Sequence, residues 1–381
     1  MFTDYINDII ECAKDYYENV SKNDDTFTIS EYVCDILKII VDKKKHKYIY
    51  PELIEQYISR NIFELNKNYN FDIDDTTQKK LKNTVQLLKD NPQAPQRSEE
   101  WYSIRKTSIG ASEISSVFNK NPFTSRTDLL LKKLDYKDPE KKDSVGAHCI
   151  HGIKYEEIAN MCYNKFYNTK INEFGSIKDK NISCIAASPD GITDEGVMVE
   201  IKCPLTREIY GVPSINYWHQ MQQQLYVCEL IKCDFFECKI IEYSWSDFKK
   251  DKLNDNNKQE IGLIIEFVNT SDDADVYNQY GWVYAPLDLS LEDYIDWINI
   301  EKEKINNDNN KQFSRIIPWK LLHYSLCEIF KNNSWWDIYG VEIIKFWDEL
   351  SILKINGFEN IIPKKKEKKI KPTKMKFIDD P

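Results

Sequence analysis

Apolar residues in the first quarter of the chain recur every three or four positions. An α-helix makes one turn in about 3.6 residues, so this spacing places the apolar side chains along one face of a helix. The pattern predicts a small helical domain over residues 1–90. The residues that carry it are Ile6, Ile9, Ile10, Ala13 and Tyr17, followed by Tyr32, Ile36, Leu37 and Ile40.

The helical pattern stops at residues 91–96, a short segment that contains Pro92 and Pro95. Proline has no backbone N–H to donate within a helix, and this segment has no periodic apolar residues. The two prolines therefore predict a linker at residues 91–96, and we expect a second domain to begin at residue 97.

Strand patterns are clearest in the middle of the chain, between residues 97 and 270. The best examples are the apolar runs Ser183–Ser188, Val197–Lys202 and Phe235–Tyr243. Helical patterns separate these runs, and alternation of strands and helices is typical of α/β folds. The sequence therefore predicts an α/β core at residues 97–270.

Helical spacing returns after the middle of the chain. It predicts helices at Leu291–Ile305 and Trp319–Phe330, and we expect the neighbouring Trp335 and Trp336 to pack such helices together. Residues 271–360 are therefore expected to form a helical C-terminal region.

The last segment, residues 361–381, contains eight lysines against three acidic residues and few apolar residues. Such a segment is expected to be a solvated, flexible basic tail. Contact with nucleic acid and nuclear targeting are the alternatives that this charge leaves open.

Composition places the chain among globular proteins. It has 381 residues, of which 41% are hydrophobic and 30% charged, and this apolar content excludes wholesale disorder. With 62 acidic and 52 basic residues, the formal net charge is −10. The total charge therefore does not hold the protein on nucleic acid, and an anionic partner must bind a local basic patch.

Cysteine usage and the N-terminal residues predict an intracellular protein. The chain has ten cysteines but no CxxC pair, so we expect reduced, buried thiols and no zinc or iron–sulfur site. Asp4, Asp8 and Glu11 lie where a secretory or transit segment needs basic residues. No apolar run approaches the roughly 18 residues of a membrane helix. The expected location is the cytoplasm, or the host-cell cytoplasm for a viral protein, without membrane contact.

A predicted hairpin at residues 187–204 has the strongest chemical signal. Because side chains alternate along a strand, Glu200 and Lys202 project from the same face. Asp190, at the end of the preceding strand, is expected to approach Glu200 across the turn. Two carboxylates beside an ammonium suit a hard divalent cation and the hydrolysis of phosphodiesters. For an isolated acid-x-Lys pattern, a surface hairpin with an ordinary salt bridge is the alternative.

The letters of this hairpin match a known motif. Pro189-Asp190, nine further residues and then Glu200-Ile201-Lys202 resemble the PD-(D/E)xK nucleases. Two flanking elements, His151-Gly152-x-x-Tyr155-Glu156 and Gln220–Tyr226, occur in the order typical of the lambda exonuclease and YqaJ viral recombinase family. The resemblance spans about residues 97–243 and implies a restriction-endonuclease-like α/β core, with a mixed central sheet flanked by helices.

The resemblance also implies roles for individual residues. It implies catalytic roles for Glu156, Asp190, Glu200, Lys202 and Gln222. It implies metal binding by Asp190, Glu200, Ile201 and Glu156. Gln222 is expected to orient water or phosphate with support from Gln220, with a plain polar helix face as the alternative. For Glu156, the alternative is a solvated helix residue.

A further upstream segment resembles the part of the family that binds a terminal phosphate. Arg105 and Ser112 match its phosphate-binding positions, since a guanidinium and a hydroxyl both donate to phosphate oxygens. A surface arginine and a simple helix cap are the corresponding alternatives.

Taken with the resemblance, these residues predict a magnesium-dependent deoxyribonuclease that also accepts manganese. Family membership implies a 5′ to 3′ exonuclease on double-stranded DNA ends, with a single-strand annealing recombinase as a partner and a homo-oligomer as an assembly. The direction of digestion is not visible in the spacing. A structure-specific or restriction-type endonuclease and a DNA-binding protein with a vestigial site are the alternatives.

Overall fold

The computed structural model describes residues 6–19, 24–61, 69, 71–96, 98–136, 146–254, 256, 258–271 and 279–363. The predicted basic tail lies outside these residues from position 364 onward, and so does the predicted domain start at residue 97. The described helices are α1 (Ile6–Asn19), α2 (Thr26–Ile40), α3 (Pro51–Asn61), α4 (Asp75–Asp90), α5 (Glu99–Lys106), α6 (Ile114–Val117), α7 (Arg126–Lys133), α8 (Ala147–Tyr167), α9 (Ile215–Val227), α10 (Trp245–Lys252), α11 (Leu291–Asn306) and α12 (Trp335–Asn356).

The described strands form two sheets. The strands are β1 (Ile109–Gly110), β2 (Ile171–Asn172), β3 (Ile177–Lys178), β4 (Ile185–Ala187), β5 (Gly191–Thr193), β6 (Met198–Lys202), β7 (Lys232–Glu242), β8 (Ile261–Asn269), β9 (Tyr280–Tyr284) and β10 (Lys311–Phe330). The larger sheet has the order β2-β5-β6-β7-β10-β8-β9, and the smaller has the order β1-β4-β3. In the larger sheet β6 and β7 run parallel, and the other neighbours run antiparallel.

Helices α8 and α9 cover opposite faces of the central strands. Val199 and Ile201 of β6 share a buried cluster with Tyr155 of α8. Met198, on the other face of β6, is buried in a cluster that includes Trp218 of α9. The predicted mixed sheet between helices, and with it the restriction-endonuclease-like fold, is confirmed.

The main hydrophobic core does not follow the predicted domain boundaries. Leu53 of α3, Trp218 of α9 and Phe346 of α12 belong to one continuous buried cluster. Helices from both ends of the chain therefore stabilise the central α/β unit by burying apolar surface against it. The division at residue 90 does not coincide with an edge of this core.

The proline-containing segment after α4 packs against the central unit. Ala94 is buried and forms an isolated antiparallel bridge with Ser176, whose backbone N–H donates to the Ala94 carbonyl at 3.2 Å. A Cβ at Gly175 would lie 2.0 Å from the same carbonyl oxygen, so the close approach requires glycine there. Helix α4 ends at Asp90, as the prolines predict, and the segment that follows packs against the central unit through Ala94.

The predicted helix at Trp319–Phe330 is wrong, because these residues belong to strand β10. The first half of β10 pairs with β8 and the second half with β7, so the strand lies in the middle of the large sheet. Trp319, Leu321, Cys327 and Ile329 are buried at two-residue spacing, but Phe330 is buried as well, and Leu322 and Tyr324 are exposed apolar residues between them. These two residues hide the two-residue period in the sequence.

The other element predictions hold with small changes in their ends. The three predicted strands in the middle of the chain correspond to β4, β6 and β7, and the predicted helix Leu291–Ile305 corresponds to α11. All ten cysteines lie among the described residues, none forms a disulfide, and eight are buried as expected.

Candidate active site

A tight hairpin brings Asp190 to strand β6. Gly196 has φ +85° in the turn, a conformation that glycine adopts without strain, and its N–H donates to the Thr193 carbonyl at 3.0 Å. Asp190 immediately precedes β5, and its Oδ2 accepts a hydrogen bond from the backbone N–H of Ile201 at 2.7 Å. The predicted approach of the two motif segments is therefore built by local chain geometry.

Glu200 occupies a more enclosed position than the alternation along β6 predicts. Its residue exposure is 0%, because α9 covers the face of the strand from which it projects. Oε1 contacts the Lys202 ammonium and accepts from Gln220 Nε2 at 2.6 Å, while Oε2 accepts from Gln224 Nε2 at 2.8 Å. The carboxylate is thus paired and hydrogen-bonded, as a buried charge requires.

The structure corrects the expectation for Gln222. Gln220 and Gln224 are four residues apart, so they share the helix face toward Glu200, whereas Gln222 points elsewhere. The Nε2 of Gln222 donates to the Phe330 carbonyl at 2.9 Å, and its Oε1 accepts from the Asn332 N–H at 2.8 Å. Gln222 therefore braces the end of β10, and Gln224 is the site residue that motif matching missed. The four-residue spacing from Gln220 was the signal that could have found it.

The charges of the hairpin perturb one another. Burial, followed by the negative charge of Glu200, raises the pKa of Asp190 well above its usual range, although Lys202 opposes this shift. Burial alone would lower the pKa of Lys202, but the carboxylates of Glu200 and Asp190 outweigh it and raise that pKa. The lysine is therefore held as a cation, and the surroundings of Asp190 disfavour its charged form.

Glu156 meets Asp190 at a cavity of about 250 Å³ between α8 and the sheet. Ile201, Glu157 and Glu173 line the same cavity. Burial raises the pKa of Glu157, and the negative charges of Glu173 and Glu156 raise it further. Carboxylates are therefore in excess at this cavity. Within the described ranges, no three His, Cys, Asp or Glu side chains converge as a preformed metal site. Mg²⁺ commonly binds one or two carboxylates and takes its other oxygen ligands from water and phosphate, so these oxygen donors fit it.

The cavity opens into a larger groove of about 960 Å³ that shares Glu156, Glu173 and Asp190 with it. Lys89, Lys170 and residues of the segment after α4 also line this groove. Lys89 is ion-paired with Asp194 of the hairpin at 2.5 Å, and Lys170 is exposed. Lys170 thus provides positive charge in the groove that also contains the carboxylates.

Helix α5 places Arg105 beside the hairpin. Trp101 Nε1 donates to Ser188 Oγ at 3.2 Å, two residues before Asp190. The Arg105 guanidinium stacks on the Trp101 ring, 4.5 Å from its centroid, and reaches Glu113 at 3.4 Å. The arginine is therefore held by neighbours on two sides and is only partly exposed.

Glu113 joins three cations into one cluster. Lys132 and Lys133 also bind its carboxylate, at 2.8 and 2.7 Å, so the cluster with Arg105 keeps an excess of two positive charges. Although burial alone would raise the pKa of Glu113, these cations lower it to about 2. Ser112 is exposed next to this carboxylate. Arg105 and Ser112 thus lie close in the fold, at a positively charged surface.

Comparison with known structures found an alkaline exonuclease from Laribacter hongkongensis. Its TM-score is 0.40 and its identity 18%, over 68% of this chain and 95% of that one. A structure of the same exonuclease in complex with dAMP gives the same values.

No helix among the described residues has the length and apolar character needed to span a membrane.

Two viral proteins are similar in sequence. A protein of Acanthamoeba polyphaga mimivirus is 31% identical over 346 residues, which is 81% of this chain and 58% of that protein. A protein of African swine fever virus is 34% identical over 87 residues, which is 23% of this chain and 24% of that protein. The chain therefore spans little more than half of the first relative and about a quarter of the second.

A family model extends over the centre of the chain. The model of the YqaJ-like viral recombinase domain matches residues 100–230. This stretch contains Arg105, Glu156, Asp190, Glu200 and Lys202, so the resemblance inferred from the motifs is confirmed. Residues 100–230 of the chain are therefore similar to the YqaJ-like viral recombinase domain.

Proposed function

We propose that this protein is a magnesium-dependent DNA exonuclease that hydrolyses phosphodiester bonds at double-stranded ends. The observation that supports this most is the shared cavity in which Glu156 and Asp190 meet beside Ile201, with the Glu200–Lys202 pair on the adjoining strand. The match of residues 100–230 to the YqaJ-like viral recombinase domain supports the same activity.

The side chains divide the work between binding and positioning. Glu156, Asp190 and the Ile201 carbonyl would hold Mg²⁺ or Mn²⁺, which when bound withdraws charge from a phosphoryl oxygen and acidifies water. Lys202 donates hydrogen bonds to the attacking water and to phosphate, because its ammonium stays charged between two carboxylates. Glu200 was also predicted as a metal ligand, but its oxygens accept from Lys202, Gln220 and Gln224, so we assign it to fixing Lys202.

A terminal 5′ phosphate is the proposed ligand of Arg105 and Ser112. The guanidinium is preorganised on Trp101, and the excess positive charge around Glu113 attracts a dianionic phosphate. An internal phosphodiester has one charge fewer and a nucleotide on its other side, so it binds less well. Binding of this end would give 5′ to 3′ digestion and a single-stranded product, which a single-strand annealing recombinase would take over. A homo-oligomer is the expected assembly.

One incubation tests the activity. Linear and covalently closed circular duplexes are mixed with the protein and Mg²⁺, and we expect only the linear form to be degraded. Cleavage of both forms would favour the endonuclease alternative, and binding without cleavage would favour a vestigial site. Asp190→Asn should abolish turnover while retaining the fold, because Asp190 lies at the cavity and not in the apolar core. Glu195→Gln, in the exposed turn of the same hairpin, is the matched control and should remain active.

A second experiment tests the end-binding pocket. Duplexes with 5′-phosphate and 5′-hydroxyl ends are compared on wild type, Arg105→Ala and Lys106→Ala, the last being the exposed neighbour. Loss of charge-assisted hydrogen bonds, each worth roughly 1.5–3 kcal/mol, should slow degradation about tenfold to a hundredfold. The rate reductions caused by removing the 5′ phosphate and by removing Arg105 should not multiply, because both remove the same contact. An undiminished phosphate preference in Arg105→Ala would reject the pocket.

A further inference from the structure

A row of aromatic residues faces the carboxylates from outside the matched family segment. Tyr280, Trp282 and Tyr284 are alternate residues of β9, so their side chains share one face of the strand. All three line the cavity that contains Glu156 and Asp190. Because β9 lies beyond residues 100–230, the central family domain does not supply this wall.

The large sheet brings its edge strand back to helix α8. Strand β9 is the last strand of the sheet and pairs with β8, far from β6 in the strand order. Its Tyr284 hydroxyl donates to the Lys154 carbonyl on α8 at 2.9 Å, two residues before Glu156. This hydrogen bond joins β9 to α8 beside the cavity and anchors the Tyr284 end of the aromatic row.

Trp282 is held by a polar network that runs to the same helix. Its Nε1 donates to Glu266 at 3.1 Å, and Glu266 is its register partner on β8. Arg315 bridges Glu266 and Glu242, at 2.9 and 2.8 Å. Glu242 in turn accepts from Lys154 at 2.6 Å and from Tyr155 at 3.1 Å. The orientation of the indole ring is therefore tied to the turn of α8 that carries Glu156.

The exposure of the row differs from that of the aromatic core. Trp218 and Trp319 are fully buried, whereas Trp282 is half-buried and Tyr280 is 37% exposed at the mouth of the cavity. Trp282 also borders an adjoining depression with Met161 and Pro286, so open space lies along it beyond the first cavity. An indole with its N–H anchored and its ring beside open space can receive a planar ligand.

We propose that Trp282, with Tyr280 at the outer end, is a nucleobase-stacking subsite for the DNA strand whose phosphate lies at the carboxylates. This proposal rests on the proposed nuclease function and adds a binding residue from β9. Every base has an aromatic face, so stacking binds nucleotides without selecting a sequence. The phosphate and the base of one strand would then be held by different parts of the chain, the family domain and the aromatic row.

Binding without turnover tests the subsite independently of the direction of digestion. Asp190→Asn protein serves as the background, and fluorescence anisotropy measures the affinity for a single strand of about eight thymidylates and for the same backbone with abasic residues. The background should bind the thymidylate strand roughly 5- to 150-fold more tightly, the range expected for stacking of one base. Adding Trp282→Ala should remove this preference, and adding Trp282→Phe should retain most of it.

Controls separate stacking from a general loss of structure. Tyr324→Ala, an exposed aromatic residue of β10, should leave the base preference unchanged. Equal affinity of the background protein for both strands, or an unchanged preference in Trp282→Ala, would overturn the subsite. Equal weakening of both strands by Trp282→Ala would also overturn it, because a merely structural role predicts that result. If wild type neither binds nor degrades DNA, the proposed function itself fails.

Discussion

Two buried glutamines on one helix should separate catalysis from stability. Gln222→Leu removes the partners of the Phe330 carbonyl and the Asn332 N–H, and Gln224→Leu removes the donor to Glu200 Oε2. Both side chains are fully buried on α9 and the substitution is the same. The pair therefore differs only in what each amide binds.

The magnitudes follow from these contacts. Gln222→Leu leaves two buried main-chain groups unpaired, which should cost about 2–4 kcal/mol of unfolding free energy. Gln224→Leu loses a hydrogen bond to a charged group, worth about 1.5–3 kcal/mol. It also removes the Gln224 Oε1, which is buried without a partner among the described residues, and this offsets about 1 kcal/mol. We therefore expect Gln222→Leu to be the less stable variant.

Turnover should rank the two variants in the opposite order. Without its Oε2 anchor, Glu200 can rotate and shift the Lys202 ammonium, so Gln224→Leu should lower kcat about tenfold, equivalent to about 1.4 kcal/mol. Gln222→Leu should keep kcat per folded molecule within about threefold. Urea unfolding followed by tryptophan fluorescence gives the stabilities, and degradation of linear duplex gives kcat. A larger loss of kcat in Gln222→Leu would refute this reasoning and return Gln222 to the catalytic group.

Three further predictions concern the metal, acid stability and the groove. Mg²⁺ or Mn²⁺ should support DNA degradation, whereas Ca²⁺ should bind with little turnover because its looser coordination geometry positions water poorly. Activity that persists after exhaustive chelation would contradict this. The pKa of Glu113 is lowered from 4.5 to about 2, so its charged form should contribute about 3 kcal/mol of stability above pH 4.5. This contribution should be lost as the pH falls from 4.5 through 2. The unfolding free energies of wild type and Glu113→Gln should accordingly converge in acid, and a constant difference from pH 7 to pH 3 would count against the cation cluster. Lys170→Ala should weaken DNA binding and reduce the salt slope of the affinity by about one, and an unchanged slope would remove Lys170 from the DNA path.

The sequence by itself determined the parts of the site that depend on neighbouring residues. Asp190, Glu200 and Lys202 come together because a short turn joins β5 to β6, and both the turn and the alternation along β6 are local properties. Glu156 and Gln220 lie on α8 and α9, and the motif letters and their order along the chain identified both as candidate site residues.

Only the tertiary structure decided which side chains face one another across the fold. The rotation of α9 against the sheet turns Gln224 toward Glu200 and Gln222 toward β10, although motif letters favoured the second. Strand β10 is stabilised by pairing with β7 and β8, which lie far earlier in the chain, and that pairing overrides a local pattern that indicated a helix. The aromatic row of β9 reaches the carboxylates in the same way, because the path of the sheet is a long-range property that periodicity along the chain does not encode.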